Sequence, residues 1–402
     1  MSEVFPPGFL WGAATSAHQI EGNNTNSDWW DFEHSGHPFV VEPSGDAIDS
    51  YHRWPEDMDL LAGAGFTDYR FGLEWARIEP APGEVSRVQL DHYRRMIDGA
   101  VARGLRPLVT LQHFTVPRWF RDAGGWAGAQ APELFARYAE TTAAILGSDV
   151  EHVCTINEPY LVSLFGALHR VGAPQERGTL APDPEVTDGL IAAHRLATDR
   201  LKQLRPQLQV GWSIASQVFQ AEPAAEQACA EYAHPRETVY LEVSRADDWV
   251  GVQAYSRHRI GVRDGQAYEL GVPADAPTTL TGWEYYPSAV GEAVRQTARV
   301  VGAVPIIVTE NGIAIEDDEL RIAYTTGALA SLRAAMDDGV DVRGYFHWSL
   351  LDNYEWGRYA PTFGLVAVDR TTFRRLPKPS LSWLGGQAPG QAVASRSVAS
   401  EA

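Results

Sequence analysis

Two short stretches of the chain each end an apolar, β-branched run on an ionisable carboxyl. "EHVCTINEP" delivers Glu158, and "VPIIVTENG" delivers Glu310. If both runs are buried strands of one sheet, two carboxyls stand at strand tips. One could then give a proton while the other attacks an electrophilic carbon. That pairing is the minimum chemistry for splitting a glycosidic bond. One carboxylic acid protonates the departing oxygen, and a carboxylate about 5–5.5 Å away attacks the anomeric carbon. A second reading is open on the same residues: two unrelated carboxylates, each paired with a local Arg.

The ends of the other strand-like runs supply Gln19, Arg70, His113, Tyr255, Trp348 and Glu355. A buried sugar hydroxyl needs both a donor and an acceptor, and such a ring offers them. Singly, each has a plainer role. His113 suits a satisfied core histidine, Trp348 suits packing, and Arg70 suits neutralising Glu74. The set contains no metal-ligand pattern. "EHSGH", with His34 and His37, has no recognised metal spacing either, so no metal and no cofactor are expected.

Positioning such a ring requires a particular framework. Short, nearly continuous apolar runs recur at 9–16, 67–75, 106–114, 151–157, 208–216, 248–256, 304–311 and 341–350. Buried parallel strands read this way. Helical patterns lie between them. "PEDMDLLAGAG" opens on Pro and acids and closes on Gly65, and "VQLDHYRRMIDGAVARG" puts Leu90, Tyr93, Ile97 and Val101 on one face before Gly104. Eight strands alternating with helices predict an α/β fold with a parallel sheet, closed as a single (β/α)8 TIM barrel with elaborated loops at the C-terminal face of its strands. An open doubly wound sheet is the competitor. No G-x-G-x-x-G or Walker-type loop follows any strand, which weakens it. In a barrel, strands four and seven face each other across the mouth, which would set Glu158 opposite Glu310.

The chain has 402 residues, 45% hydrophobic and 21% charged, enough for a full core. A net charge of −19 argues against nucleic acid and anionic membrane surfaces as partners. Only two cysteines, Cys154 and Cys229, are present, so no disulfide framework is expected. No signal peptide and no membrane-length apolar run are read, so a cytoplasmic location is the default expectation. Residues 21–50 and 257–284 read as long irregular loops over the strand ends. "SRHRIGVR" (256–263) reads as a solvated basic loop, or as a contact for a polar leaving group through Arg257 or Arg259. The catalytic unit is expected over 1–385, with 386–402 a disordered tail. Oligomeric state is left open.

Over roughly residues 5–385 the chain resembles glycoside hydrolase family 1, the retaining β-glucosidase family. The motifs are "FLWGAATSAHQIEG", "YRFGLEWARIEP", "LQHFTVPRWF", "TINEP", "IVTENG" and "YFHWSLLDNYEW" followed by "TFGLVAVD". The resemblance implies retaining hydrolysis of small-molecule β-glycosides. It makes Glu158 the general acid/base and Glu310 the nucleophile, and has Asn157 bind the sugar 2-hydroxyl. It gives Gln19, His113, Glu355 and Trp356 to the other hydroxyls and Trp348 to the floor beneath the ring. It sets Arg70 and Tyr255 beside Glu310.

Several positions depart from the family pattern: Ser is common where Gly72 stands, Ser or Pro where Ala76 stands, and Glu74 in "GLEW" looks more like archaeal members. Gln253 stands where Asn is usual, and Phe114 follows His113 where Trp is usual, so the identity of the glycone stays open among glucose, galactose, fucose, mannose and an unusual deoxysugar. "NYEWGRYAPTFG" lacks the phosphate-holding residues of the 6-phospho-sugar enzymes, and an intact Glu158 separates the chain from thioglucosidase relatives. The rival functions are a transglycosidase and a catalytically silent glycan-binding barrel.

Overall fold

Eight of the apolar runs are parallel strands in a computed structural model that describes residues 5–171 and 180–389. The strands are β1 (Leu10–Ala14), β2 (Asp68–Gly72), β3 (Arg106–His113), β4 (His152–Asn157), β5 (Gln209–Ala215), β6 (Trp249–Gln253), β7 (Ile306–Asn311) and β8 (Val342–Trp348). They follow one another in chain order, and β1 closes the ring by pairing with both β2 (Gly12↔Asp68) and β8 (Ala14↔Trp348). The expected (β/α)8 barrel is therefore the observed fold.

Alternation along each strand sorts side chains to two cores. Leu10, Ala14, Leu108, Cys154, Trp249, Ile307, Phe346 and Trp348 belong to one buried cluster. Trp11, Ala13, Val109, Val153, Val250 and Val308 join a larger cluster that includes the surrounding helices. Gly12 shows how tight the packing is. A Cβ there would sit 2.6 Å from the Phe346 ring and 2.7 Å from the Asp68 carbonyl oxygen. Cys154 and Cys229 are both buried free thiols.

The helix Arg87–Ala102 buries Tyr93 and Ile97 as its spacing predicts, adds His92, Met96 and Ala100, and is followed by Gly104 at φ 75°. The helix expected to open at Pro55 instead runs Ser50–Ala64, with Pro55 inside it. Tertiary contacts override the proline signal. Ser50 Oγ donates to Asp57 (2.7 Å), and Asp57 is gripped by Arg375 through Nε (2.7 Å) and Nη2 (3.1 Å), both side chains 1% exposed. Asp57→Ala would leave that guanidinium buried without its counter-charge. A loss of about 3–5 kcal/mol is expected in chemical denaturation, with catalysis in the surviving folded enzyme little changed.

The two regions read as irregular are partly structured. Residues 21–50 contain the helix Asp28–Glu33. Residues 257–284 contain an antiparallel hairpin, His258–Arg263 with Gln266–Leu270, joined by Phe219–Ala221 into a three-stranded sheet. Two arginines of the basic stretch pair with carboxylates from outside the hairpin, Arg257 with Glu284 and Arg259 with Glu222, and Arg263 lies over the Tyr268 ring. At the C-terminus Ala388 is still buried. The remainder of the expected tail, 390–402, lies outside the described residues. Among the described residues, no helix is long and apolar enough to cross a membrane.

Candidate active site

Both carboxyl-bearing strands lose their regular register near the C-terminal end. β4 slips against β5 between Cys154 and Asn157, and β7 slips against β6 between Val308 and Glu310. Such irregularities re-aim side chains. Glu158 follows directly with φ 49°, a left-handed conformation that costs a β-carbon-bearing residue about 1–2 kcal/mol. Its backbone is anchored on both sides. Its N–H donates to the Ser213 carbonyl at 2.8 Å, and its own carbonyl accepts from Leu161 and Val162 at the start of the next helix.

Glu310 is held at both oxygens. Arg70 Nη1 donates to Oε1 and the Tyr255 hydroxyl to Oε2, each at 2.5 Å. Arg70 therefore does not pair with Glu74, whose oxygens accept from the Ala76 N–H and the Thr115 hydroxyl. Through Nη2 the same guanidinium donates to Asn157 Oδ1, which also accepts from Gln253 Nε2 at 2.8 Å. Gln253 thus uses its extra length to fix the Asn157 amide. Its own Oε1 is buried with no protein partner among the described residues. Asn157 Nδ2 lies 3.3 Å from His113 Nε2.

On the far side, Gln19 Nε2 donates to the Tyr354 carbonyl (2.8 Å), to Asn353 Oδ1 (3.0 Å) and more distantly to Glu355 Oε2 (3.4 Å). The Trp348 indole N–H donates to Glu355 Oε1 at 3.2 Å. The His113 ring stacks near Trp348 (5.8 Å between centroids) and Trp356 (6.0 Å). Phe114 packs edge-on against Trp356 at 4.8 Å. Gln19, Arg70, His113, Asn157, Gln253, Tyr255, Glu310, Trp348, Glu355 and Trp356 are thus linked by hydrogen bonds and ring stacks around one barrel mouth, with Glu158 next to Asn157 in the chain. Sequence reasoning missed three supports. Ser16 Oγ donates to Gln19 Oε1 (2.7 Å), Asn353 sets the Gln19 amide, and the His18 ring backs Trp356 in a stack at 5.5 Å. Each adjoins an identified residue in the chain or stands three from it, the only signal available.

Three carboxyls and one guanidinium share this buried space, so not all three can be charged together. Burial first, then the charge of Glu310, pushes Glu158 well above the ordinary carboxylate range. Burial also raises Glu310, but Arg70 and the Tyr255 hydrogen bond pull it back. Burial pushes Glu355 up to about 8 against its bonds from Trp348 and Gln19. The proton held by the pair therefore belongs mainly on Glu158 and the negative charge on Glu310. Burial, then Arg70, keeps His113 neutral, so its two nitrogens present one donor and one acceptor. Burial keeps Tyr255 protonated as a donor.

The sequence model of glycosyl hydrolase family 1 matches residues 1–250 and 249–388. The chain belongs to glycosyl hydrolase family 1. Its family 1 relatives include beta-glucosidase A of Thermotoga maritima, 31% identical over 94% of this chain and 96% of that one. Thermostable beta-glucosidase B of Thermobispora bispora is 34% identical over 94% of this chain and 89% of its own length. Among solved structures, the beta-glycosidase BGL167 superposes with a TM-score of 0.87 at 42% identity, covering 96% of this chain and 99% of that one. The Thermotoga maritima beta-glucosidase in complex with deoxynojirimycin also gives 0.87, at 28% identity over 95% and 98% of the two chains. The family 1 assignment makes the protein a glycoside hydrolase.

Proposed function

We propose that this family 1 hydrolase cleaves O-linked β-glycosides with retention of configuration, through a covalent glycosyl ester on Glu310. The unequal anchoring of the two carboxyls carries the reading. Glu310 is fixed and charged by Arg70 and Tyr255, while the Glu158 carboxyl has no protein hydrogen-bond partner among the described residues and holds its proton. A fixed anion suits in-line attack, and a free, protonated carboxyl suits giving up its proton.

In the first displacement a Glu310 oxygen attacks the anomeric carbon. The bond to the leaving oxygen breaks, and Glu158 gives that oxygen its proton. Esterification removes the negative charge of Glu310, and with it the repulsion that helped raise Glu158. Glu158 then ionises more readily and takes a proton from water, whose oxygen attacks the anomeric carbon and releases Glu310. Asn157, with its amide set by Arg70 and Gln253, binds the 2-hydroxyl. Gln19, His113, Glu355 and Trp356 hold the remaining hydroxyls above Trp348. The beta-glucosidase relatives support a β-glucoside as the first substrate to try.

Proton NMR of the first turnovers tests the reading. The β-anomer is expected to form first; α-sugar formed first would require inversion. The pH profile should be bell-shaped. Activity rises as Glu310 loses its proton and falls as Glu158 loses its own, so the limbs report the pair. Tyr255→Phe removes a bond that favours ionised Glu310. Its pKa should rise, shifting the acid limb of kcat/KM to higher pH and lowering kcat by about tenfold. An unmoved acid limb would detach Tyr255 from the nucleophile.

A further inference from the structure

We propose that the leaving group this enzyme prefers is a bulky, largely apolar alcohol rather than a second sugar; the proposal rests on the glycosidase reading above. A cavity of about 750 Å³ opens next to the small cleft that holds Glu158, within the roughly 300–1,000 Å³ that encloses a ligand of several rings. It adjoins the cleft of the acid. Gln217, Ser256, His258 and Trp283 line both this cavity and the small cleft that holds Glu158, Gln253 and Tyr255. An alcohol protonated by Glu158 departs into it.

The chemistry of the walls selects the occupant. The helix Pro159–Val171 starts immediately after Glu158, and Leu161, Leu164 and Phe165 lie on one face of it at helical spacing. Phe39, Leu270 and Trp283, from other elements, complete the apolar lining. All six are only partly buried, so their apolar surface meets solvent inside the cavity.

The charged residues beneath them are already engaged with one another. Arg257 donates to Glu284 (3.0 and 2.7 Å) and to Gln220 (3.1 Å), Arg259 to Glu222 (3.0 and 2.5 Å), and His258 lies 2.7 Å from Glu269. A second sugar ring entering here would shed water from several hydroxyls and recover few hydrogen bonds. An apolar group gains on every surface it covers. The basic stretch is thus braced by its own ion pairs, and Leu270 on the same hairpin adds to the apolar lining that sets leaving-group preference.

The test is kcat/KM for methyl, butyl and octyl β-glucosides, below micelle-forming concentrations, alongside cellobiose. The alkyl leaving groups differ little in acidity, so their ratio reports the cavity. Octyl is expected to exceed methyl by about tenfold or more, and to exceed cellobiose. Leu164→Asn should pull the octyl-to-methyl ratio back severalfold. Leu270→Gln, on a different element of the lining, should do the same, so the result does not depend on one variant folding. A flat alkyl series, or cellobiose outpacing octyl glucoside, overturns the proposal. Hydrolysis of none of these, nor of the 4-nitrophenyl β-glucoside, β-galactoside, β-fucoside or β-mannoside, would instead remove the glycosidase reading on which it rests.

Discussion

Glu310→Ala is expected to lower turnover of an aryl β-glucoside by on the order of 10⁵-fold or more, because the first displacement loses its attacking atom. Added azide should recover part of the cleavage. It fits the space left by the carboxylate and attacks from the same side, so the product should be the α-glycosyl azide, inverted relative to substrate. The substitution has a structural cost that must be separated from the chemical one. Arg70 is fully buried, and its ion pair with Glu310 would be gone. Breaking such a pair costs about 3–5 kcal/mol of stability. Glu310→Gln keeps an acceptor for Arg70 and should melt closer to the parent while remaining as inactive. Near-parental turnover in the Gln variant, or azide yielding only β-product, would end the nucleophile assignment.

Glu158→Gln should act differently on different substrates. With an alkyl glucoside, whose leaving oxygen needs a proton, kcat/KM should fall by about 10²–10⁴-fold. With 2,4-dinitrophenyl β-glucoside, which leaves unaided, formation of the ester should survive and its breakdown should become limiting. A burst of dinitrophenol should then precede slow turnover. Azide should speed that second step and give the β-glycosyl azide, opposite to the Glu310 variant. The alkaline limb of the pH profile should also disappear, since the group that titrates there has been removed. Equal losses on both substrates would mean that Glu158 does not serve as the acid. The contrast in azide stereochemistry makes the two substitutions a joint test of which carboxyl does which task.

Much of this arrangement could be read before any coordinates. The barrel was legible because each strand is a short, nearly continuous apolar run, and burial on both faces leaves that imprint. The two carboxyls were legible because an ionisable group at the end of such a run has few structural uses. Other features left weaker traces. The start of the helix Ser50–Ala64 is not legible because Pro55 mimics a helix start, and the bonds that override it come from Arg375, 318 residues away. The hairpin 258–270 carries a local signal in its turn. Asp264-Gly265 sits between strand-forming residues, and both adopt positive φ (50° and 76°), as a tight hairpin turn demands. The role of Gln253 was not legible. Whether its amide meets a sugar or a neighbour depends on where Asn157 lies, and composition does not encode that.

The left-handed backbone at Glu158 sets folding and turnover against each other. Glycine would relax that turn at no steric penalty, so a lineage selected only for robustness would drift toward it. The acid survives at that position only while hydrolysis itself is under selection. A homologue that has lost its substrate should therefore shed this side chain early and become sturdier as it falls silent.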